Sequence, residues 1–373
     1  MSTTKPELVL IGGGHAHLGV LADWAKRGTP DAACTLLTPD RHARYSGMLP
    51  GIVAGRYEPE DGFIDLEALA ARSGTMVKFG WCAKIDPEGR TIVTESGANL
   101  PFDICSIDTG GEAQATGILG QDSRLLDVRP IGTFLARLEQ WQRTLKRRPN
   151  HIVIAGGGAG GFEIAHAMRF RYREHATRIS MVSGDAGLLS GFADPARRLA
   201  RHALQQADID LYEDDLRIAN GRIYAGSRLL EPVDGIIASF GARAPEWPRE
   251  SGLRVDDEGF IAVDRHQRSV SHPAVFAAGD VARRMDRHVP HSGVHAVHTG
   301  QTLAHNLACA VEAGDRLHTY RPRPASLYLL ATGQCRAIAS YGPLAAHGRW
   351  AGWLKHSIDS RWIERFAKIA RAV

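Results

Sequence analysis

Residues Leu8–Leu21 read LVLIGGGHAHLGVL, and residues Ile152–Ala165 read IVIAGGGAGGFEIA. Each is a short run of aliphatic and β-branched residues, then a glycine cluster, then an apolar run with helical spacing. That pattern reads as strand, tight turn and helix, the opening unit of a doubly wound α/β domain. The offset from Gly12 to Gly156 is 144 residues, about the length of one domain, so the chain holds two such units. The glycines have separate tasks. The first lets the chain turn tightly, the second lets backbone approach a pyrophosphate, and the third lets helix and strand pack closely. The helix N-terminus then presents free N–H groups and partial positive charge to phosphates.

The copies are unequal. The second has Gly156, Gly158 and Gly161; the first has Gly12 and Gly14, with His17 where the third glycine belongs. Two outcomes are open at His17: a helix packed less closely on its strand, or an imidazole turned toward the ligand. Glu163 stands in the second copy where the first has Gly19. An acid normally ends the second strand of such a unit and binds the adenosine ribose. Here the second strands are Ala33–Leu37, followed by Thr38, and Arg178–Val182, followed by Ser183 and Gly184. Asp40 and Asp185 come late, and no arginine cluster follows at once to hold a 2′-phosphate. These strand ends therefore give only a mild preference for NADH over NADPH.

A third segment, Val275–Ala282, reads VFAAGDVA. A strand ending in Gly279-Asp280, followed by a helix expected over residues 290–311, places a carboxylate for a ribityl hydroxyl beside a helix end. FDICSIDTG (residues 102–110) and DGIIASFGA (234–242) are further strands that end in small residues, the first in Thr109-Gly110. The ordered set resembles the pyridine nucleotide-disulfide oxidoreductase superfamily, the two-dinucleotide-domain flavoproteins. The stretch ARYSGMLPGIVAGRY (43–57) is similar to an NADH dehydrogenase-like branch, sometimes fused to selenide, water dikinase. That branch is related to type II NADH:quinone and sulfide:quinone oxidoreductases.

The resemblance implies an α/β fold of two Rossmann-like domains, with the FAD domain (1–115 and 271–325) split by an inserted NAD(P)H domain (116–270). A C-terminal segment (326–373) follows. It implies FAD at Gly12, Gly14, His15, His17, Thr38, Ser46, Gly47, Met48, Thr109, Gly110, Gly279 and Asp280. It implies NAD(P)H at Gly156, Gly158 and Gly161, with Glu163, Pro50 and His291 as candidate catalytic residues. The implied activity takes hydride from NAD(P)H and passes two electrons to a quinone-like acceptor. A flavin-bearing redox sensor, or a sulfide or selenide oxidoreductase, is the alternative. The glutamine that type II NADH dehydrogenases carry at the start of the helix after the GD motif is missing from PHSGVHAVH (290–298).

The rest of the chain narrows the choices. The protein has 373 residues, 44% apolar and 23% charged, with net charge +4. This composition excludes disorder as the main state. No apolar run approaches the roughly 20 residues of a membrane-spanning helix. The N-terminal apolar stretch of four residues does not read as a secretory signal. Five scattered cysteines form neither CxxC nor CxxxxC, which excludes disulfide reduction and points to a reducing cytoplasm. Cys105 with Cys335 is the best available pair for sulfide chemistry. His288, His291, His295 and His298 share one helical face by spacing; they read as solvent-facing or flavin-edge residues, and no metal is assigned. LYLLATGQCRAIASYG (327–342) reads as a hairpin turning at Thr332-Gly333.

From Arg349 onward six basic and two acidic residues accompany Trp350, Trp353, Leu354, Ile358, Trp362, Phe366, Ile369 and Ala370 at helical spacing. This basic amphipathic helix lies on an anionic membrane surface, on the inner face, or packs on the flavin domain or a dimer partner. The localised charge gives no reason to expect a nucleic-acid partner. A monomer or homodimer is expected.

Overall fold

The computed structural model describes residues 5–371. Two five-stranded parallel sheets form its frame. The first is built from β1 (Glu7–Ile11), β2 (Ala33–Thr38), β3 (Met76–Phe79) and β4 (Ile104–Ile107). The second uses β5 (Leu125–Asp127), β6 (His151–Ala155), β7 (Arg178–Val182), β8 (Ile209–Tyr212) and β9 (Gly235–Ala238). The strand β10 (Val275–Ala277) then returns to the first sheet. The orders are β10-β4-β1-β2-β3 and β5-β9-β6-β7-β8, with every neighbouring pair parallel. Parallel strands need cover on both faces, which is why Leu8–Ile11 and His151–Ala155 are buried along their whole length.

The cover comes from helices that follow the glycine turns. Helix α1 (His15–Arg27) and helix α2 (Ala159–Arg171) succeed β1 and β6, and helix α3 (Gly293–Val311) lies against α1. A Cβ on Gly19 would stand 2.9 Å from the Cα of Gly300 in α3. That close crossing leaves no space in the first copy for a side chain at the register of Glu163.

The structure decides between the two outcomes open at His17. In the second copy a Cβ on Gly161 would meet the Gly156 carbonyl at 2.1 Å. In the first copy His17 Nδ1 lies 2.6 Å from the corresponding carbonyl of Gly12, and Nε2 lies 2.9 Å from Ser106 Oγ. The carbonyl can only accept, so Nδ1 carries the proton and Nε2 accepts from Ser106. His17 is fully buried. It is therefore a staple between α1, β1 and β4, and does not turn toward a ligand.

Two further expectations need correction. Helix α3 begins at Gly293, not near residue 290, because Ser292 keeps extended backbone at the N-cap. His288 and His291 therefore lie before the helix and do not share a face with His295 and His298. The hairpin Leu327–Ala331 (β11) and Ala337–Tyr341 (β12) is present with Gly333 in its turn. It gains a third strand, β13 (Leu344–Gly348), whose Ala- and His-rich sequence carries little strand signal.

The C-terminal helix α4 (Arg349–Arg371) divides its apolar residues. Trp362, Ile363, Phe366 and Ile369 pack into the core around α1. Trp350, Trp353 and Ile358 are exposed, with Trp353 66% accessible. No helix among the described residues is long and apolar enough to cross a membrane.

Burial holds the pKa of His17 and of His151 down to about 4, and that of His166 to about 3. A histidine depressed by folding contributes stability above its unfolded value near 6.5, and that stability drains away as pH falls toward the folded value. For His17 the loss amounts to roughly 3 kcal/mol. The urea midpoint of unfolding is expected to drop steadily between about pH 6.5 and 4. His17→Ala is expected to lower stability at neutral pH by about 2–4 kcal/mol, through a cavity and two lost hydrogen bonds. A midpoint unmoved at neutral pH would refute the staple.

Candidate functional site

Each glycine turn is held by its own sheet. Gly12 N donates to Leu37 O and Gly156 N donates to Val182 O, both at 2.8 Å. Both glycines have positive φ, +93° and +122°. A Cβ on either would strike a carbonyl of the neighbouring strand end, Asp108 O at 2.5 Å or Ser239 O at 2.4 Å. These collisions align Asp108 with Ser239 as corresponding residues of the two copies.

The second turn is open. No atom lies within 4 Å of a Cβ placed on Gly158, and α2 has neither a side-chain cap nor an acid in its first turn. Its first N–H groups are thus available to a phosphate. The first turn differs. Asp108 Oδ2 accepts from Ala16 N at 2.8 Å and His17 N at 3.0 Å, and Asp108 O accepts from Gly14 N. Thr38 is buried beside this turn, with its hydroxyl on Asp40 O, and Gly110 follows Thr109 at φ +74°.

The Gly279-Asp280 turn faces the same place. Asp280 Oδ2 is 3.0 Å from Arg129 Nη2. A cleft here is lined by Asp280, Pro290, His291, Ser292 and His295. His291 Nε2 donates to Ala282 O at 3.1 Å and its ring packs on Phe260. His295 Nδ1 is 3.0 Å from the Tyr320 hydroxyl. Burial lowers the pKa of both histidines, so both favour the neutral form. Among the described residues no three His, Cys, Asp or Glu side chains are placed to hold a metal ion.

Two buried polar atoms in this region lack partners: His15 Nε2 on the first residue of α1, and Ser292 Oγ at the N-cap of α3. Buried polar groups left over beside a glycine turn fit a polar ligand better than a packed core. The first turn, Asp280 and α3 therefore suit a dinucleotide that spans them, and FAD fits these residues.

Between the two turns lies a largely enclosed charged cluster, with Asp359 buried and Glu163 and Lys355 partly so. Ser46–Met48 form a 3₁₀ turn, and a short helix, Leu49–Val53, buries Pro50. Lys355 of α4 reaches this segment and donates to Gly47 O at 3.1 Å. Its Nζ lies 3.2 Å from Asp359 and 3.6 Å from Glu163. Glu163 Oε1 also accepts from Ala331 N at 2.8 Å, and Tyr45 OH donates to Asp359 at 3.1 Å. Burial pushes the Glu163 pKa up more than Lys355 brings it down. Burial opposes charge on Lys355 too, but Glu163 and Asp359 outweigh it and hold its pKa above the ordinary value. One ammonium thus faces two carboxylates, and a proton shared with Glu163 relieves the imbalance.

The structure gathers Ser46, Gly47, Met48, Pro50 and Glu163 at this cluster, and Gly12, Gly14, His15, Thr38, Thr109, Gly279 and Asp280 around the first turn. His17 lies behind that turn. Sequence reading missed Lys355, Asp359, Asp108 and Arg129. Lys355 and Asp359 do stand four apart on one helix face, a spacing visible in the sequence. The cysteines form no pair. Cys105 is fully buried in β4 with its thiol pushed up by burial, while Cys335 is exposed beside Arg56.

Comparison with known proteins gives the family and the fold. An NADH dehydrogenase-like protein of Mycobacterium tuberculosis is 24% identical over 95% of this chain and 94% of its own. The fold is similar to NDH2 from Plasmodium falciparum, solved in complex with NADH, at a TM-score of 0.82, 12% identity and 99% coverage of each chain. It is also similar to the sulfide:quinone oxidoreductase of Aquifex aeolicus, at a TM-score of 0.80 and 16% identity, covering 98% of this chain and 92% of that one. The family model for pyridine nucleotide-disulphide oxidoreductases matches residues 6–300. With its two dinucleotide turns, this chain belongs to that family of FAD-binding, NAD(P)H-dependent oxidoreductases.

Proposed function

We propose that this chain is an NAD(P)H dehydrogenase that passes two electrons to a quinone-like acceptor. The proposal includes the division into a split first domain (1–115 and 271–325), an inserted second domain (116–270) and a C-terminal segment. The observation that carries it is the largely enclosed Glu163–Lys355–Asp359 cluster. It joins the helix of the second glycine turn to the Ser46–Pro50 segment, where the donor and flavin sides of such a reaction meet. FAD bound along the first turn supplies hydride acceptance and storage of two electrons.

The chain's own residues then bind, orient and move protons. Gly156, Gly158 and the α2 N-terminus hold the NAD(P)H phosphates through peptide N–H groups. Gly12, Gly14, His15 and Asp280 hold the flavin dinucleotide. Lys355 fixes the carbonyl of Gly47 and keeps Ser46–Pro50 at one distance from Glu163. Glu163, with its raised pKa, holds a proton between the Ser46–Pro50 segment and the second turn, where it would orient a bound nicotinamide; such placement is worth about 10²–10⁴ in rate. His291, neutral and fixed to Ala282 O, shapes the cleft at Asp280. Exposed Trp350, Trp353 and Leu344, with Arg349 and Arg361 nearby in sequence, support docking of α4 and the hairpin on an anionic membrane surface on the cytoplasmic side.

Mixing the yellow protein anaerobically with NADH or NADPH and following absorbance near ~450 nm tests the donor step. Rapid bleaching is expected, followed by recovery on adding a soluble quinone. Bleaching without recovery would favour the redox-sensor alternative, and bleaching by sulfide would overturn the exclusion of the cysteines.

Glu163→Gln is expected to slow bleaching by about tenfold or more, with stability preserved. Lys355→Met leaves the buried Asp359 carboxylate beside Glu163 without its cation and is expected to cost about 3 kcal/mol of stability. Adding Glu163→Gln to Lys355→Met should return part of that loss in thermal unfolding. Co-sedimentation with phosphatidylserine vesicles is expected for the native chain and is expected to weaken for Trp350→Ser with Trp353→Ser. Equal sedimentation of both would remove the membrane reading.

A further inference from the structure

The two glycine turns differ most at one position. At the strand end where the second copy has Ser239, the first has Asp108, and its carboxyl group lies inside the turn. It is 2% exposed. It is closely surrounded: a Cβ on Gly14 would fall 2.3 Å from Oδ1 and 2.4 Å from Oδ2, and a Cβ on Gly279 would fall 2.3 Å from Oδ1. With a side chain on either neighbour this carboxyl could not occupy its place.

Asp108 occupies groups that a phosphate would use. It accepts from Ala16 N and His17 N, in the first turn of α1, and its carbonyl accepts from Gly14 N. An ionised Asp108 therefore subtracts hydrogen-bond donors and adds negative charge at the site where the pyrophosphate of a dinucleotide brings two more charges. Like charges at short range favour the protonated carboxyl. By linkage, whatever binding does to the proton affinity, protons do to the binding.

We infer that FAD binding to this chain takes up one proton on Asp108, so that FAD affinity is set by pH. The inference rests on FAD occupying the first turn.

The groups around Asp108 leave it as the titrating partner. Burial raises its pKa to about 7 against the lowering effect of the His17 and Ala16 amides, and Asp280 adds to the rise. On α1, His17 is held neutral to about pH 4 by burial. His15, also on α1, has its pKa lowered by burial. From the turn after β10, Asp280 is paired with Arg129. The pyrophosphate and adenine of free FAD ionise well below neutral pH, and its imide well above.

The test is FAD titration of the apoprotein by flavin fluorescence between about pH 6 and 9. The Kd is expected to rise about tenfold per pH unit above the Asp108 ionisation, and to be flat for Asp108→Asn. A flat wild-type profile would overturn the inference, and so would a slope that survives Asp108→Asn, which would place the proton on His15. Should Asp108→Asn fail to fold, calorimetry of the wild type in two buffers of different ionisation enthalpy gives the answer. Uptake of about one proton per FAD near pH 8 is expected, and uptake near zero overturns the inference. Absence of FAD binding at every pH would instead defeat the assignment of the first turn.

Discussion

A parallel strand that must pass its chain to a helix within a few residues needs backbone that turns without a Cβ. The hydrogen bonds from Gly12 N to Leu37 O and from Gly156 N to Val182 O meet that need. They fix each helix start over its sheet, and the directions of α1 and α2 follow. So does the opening in which phosphates can meet peptide N–H groups. Everything else in the candidate site is arranged relative to these two turns: Gly279-Asp280 faces the first, Glu163 rides on the helix of the second, and the Ser46–Pro50 segment lies between.

The second constraint is electrostatic. A lysine ammonium enclosed by protein is tolerable only with partners, and Lys355 has two carboxylates and a carbonyl. Satisfying it fixes α4 to both halves of the molecule. The C-terminal helix is thereby structural along its inner face, through Lys355, Asp359 and Phe366, while its outer face keeps two tryptophans in solvent.

The legible parts of the sequence were those written locally. Strand, glycine turn and helix occupy about fifteen consecutive residues, so the fold class and both turns could be read directly. The Lys355 contact to Gly47 spans 308 residues and leaves no periodicity behind. His17 was ambiguous because a histidine in place of glycine fits both a ligand contact and a staple; only the carbonyl it meets distinguishes them. The start of α3 was misplaced because Pro290 resembles a first helical residue, whereas Ser292 holds the N-cap. Asp108 reads as part of an ordinary strand end, since nothing in its neighbours announces that its side chain accepts from the first turn of α1.

The insertion of one sheet between the strands of the other also governs how the chain comes together. β5 is made before the unit it completes, and β10 after the whole second sheet has been synthesised. On a ribosome, the outer edge of β4 therefore stays bare until residues 275–277 emerge, with the peptide groups of Cys105–Ile107 unpaired along it. The second sheet has all five of its strands earlier, once Gly235–Ala238 is out. The middle of the chain is thus poised to fold first, and the N-terminal sheet is completed after it, with its open edge the segment most exposed to mispairing in the interval.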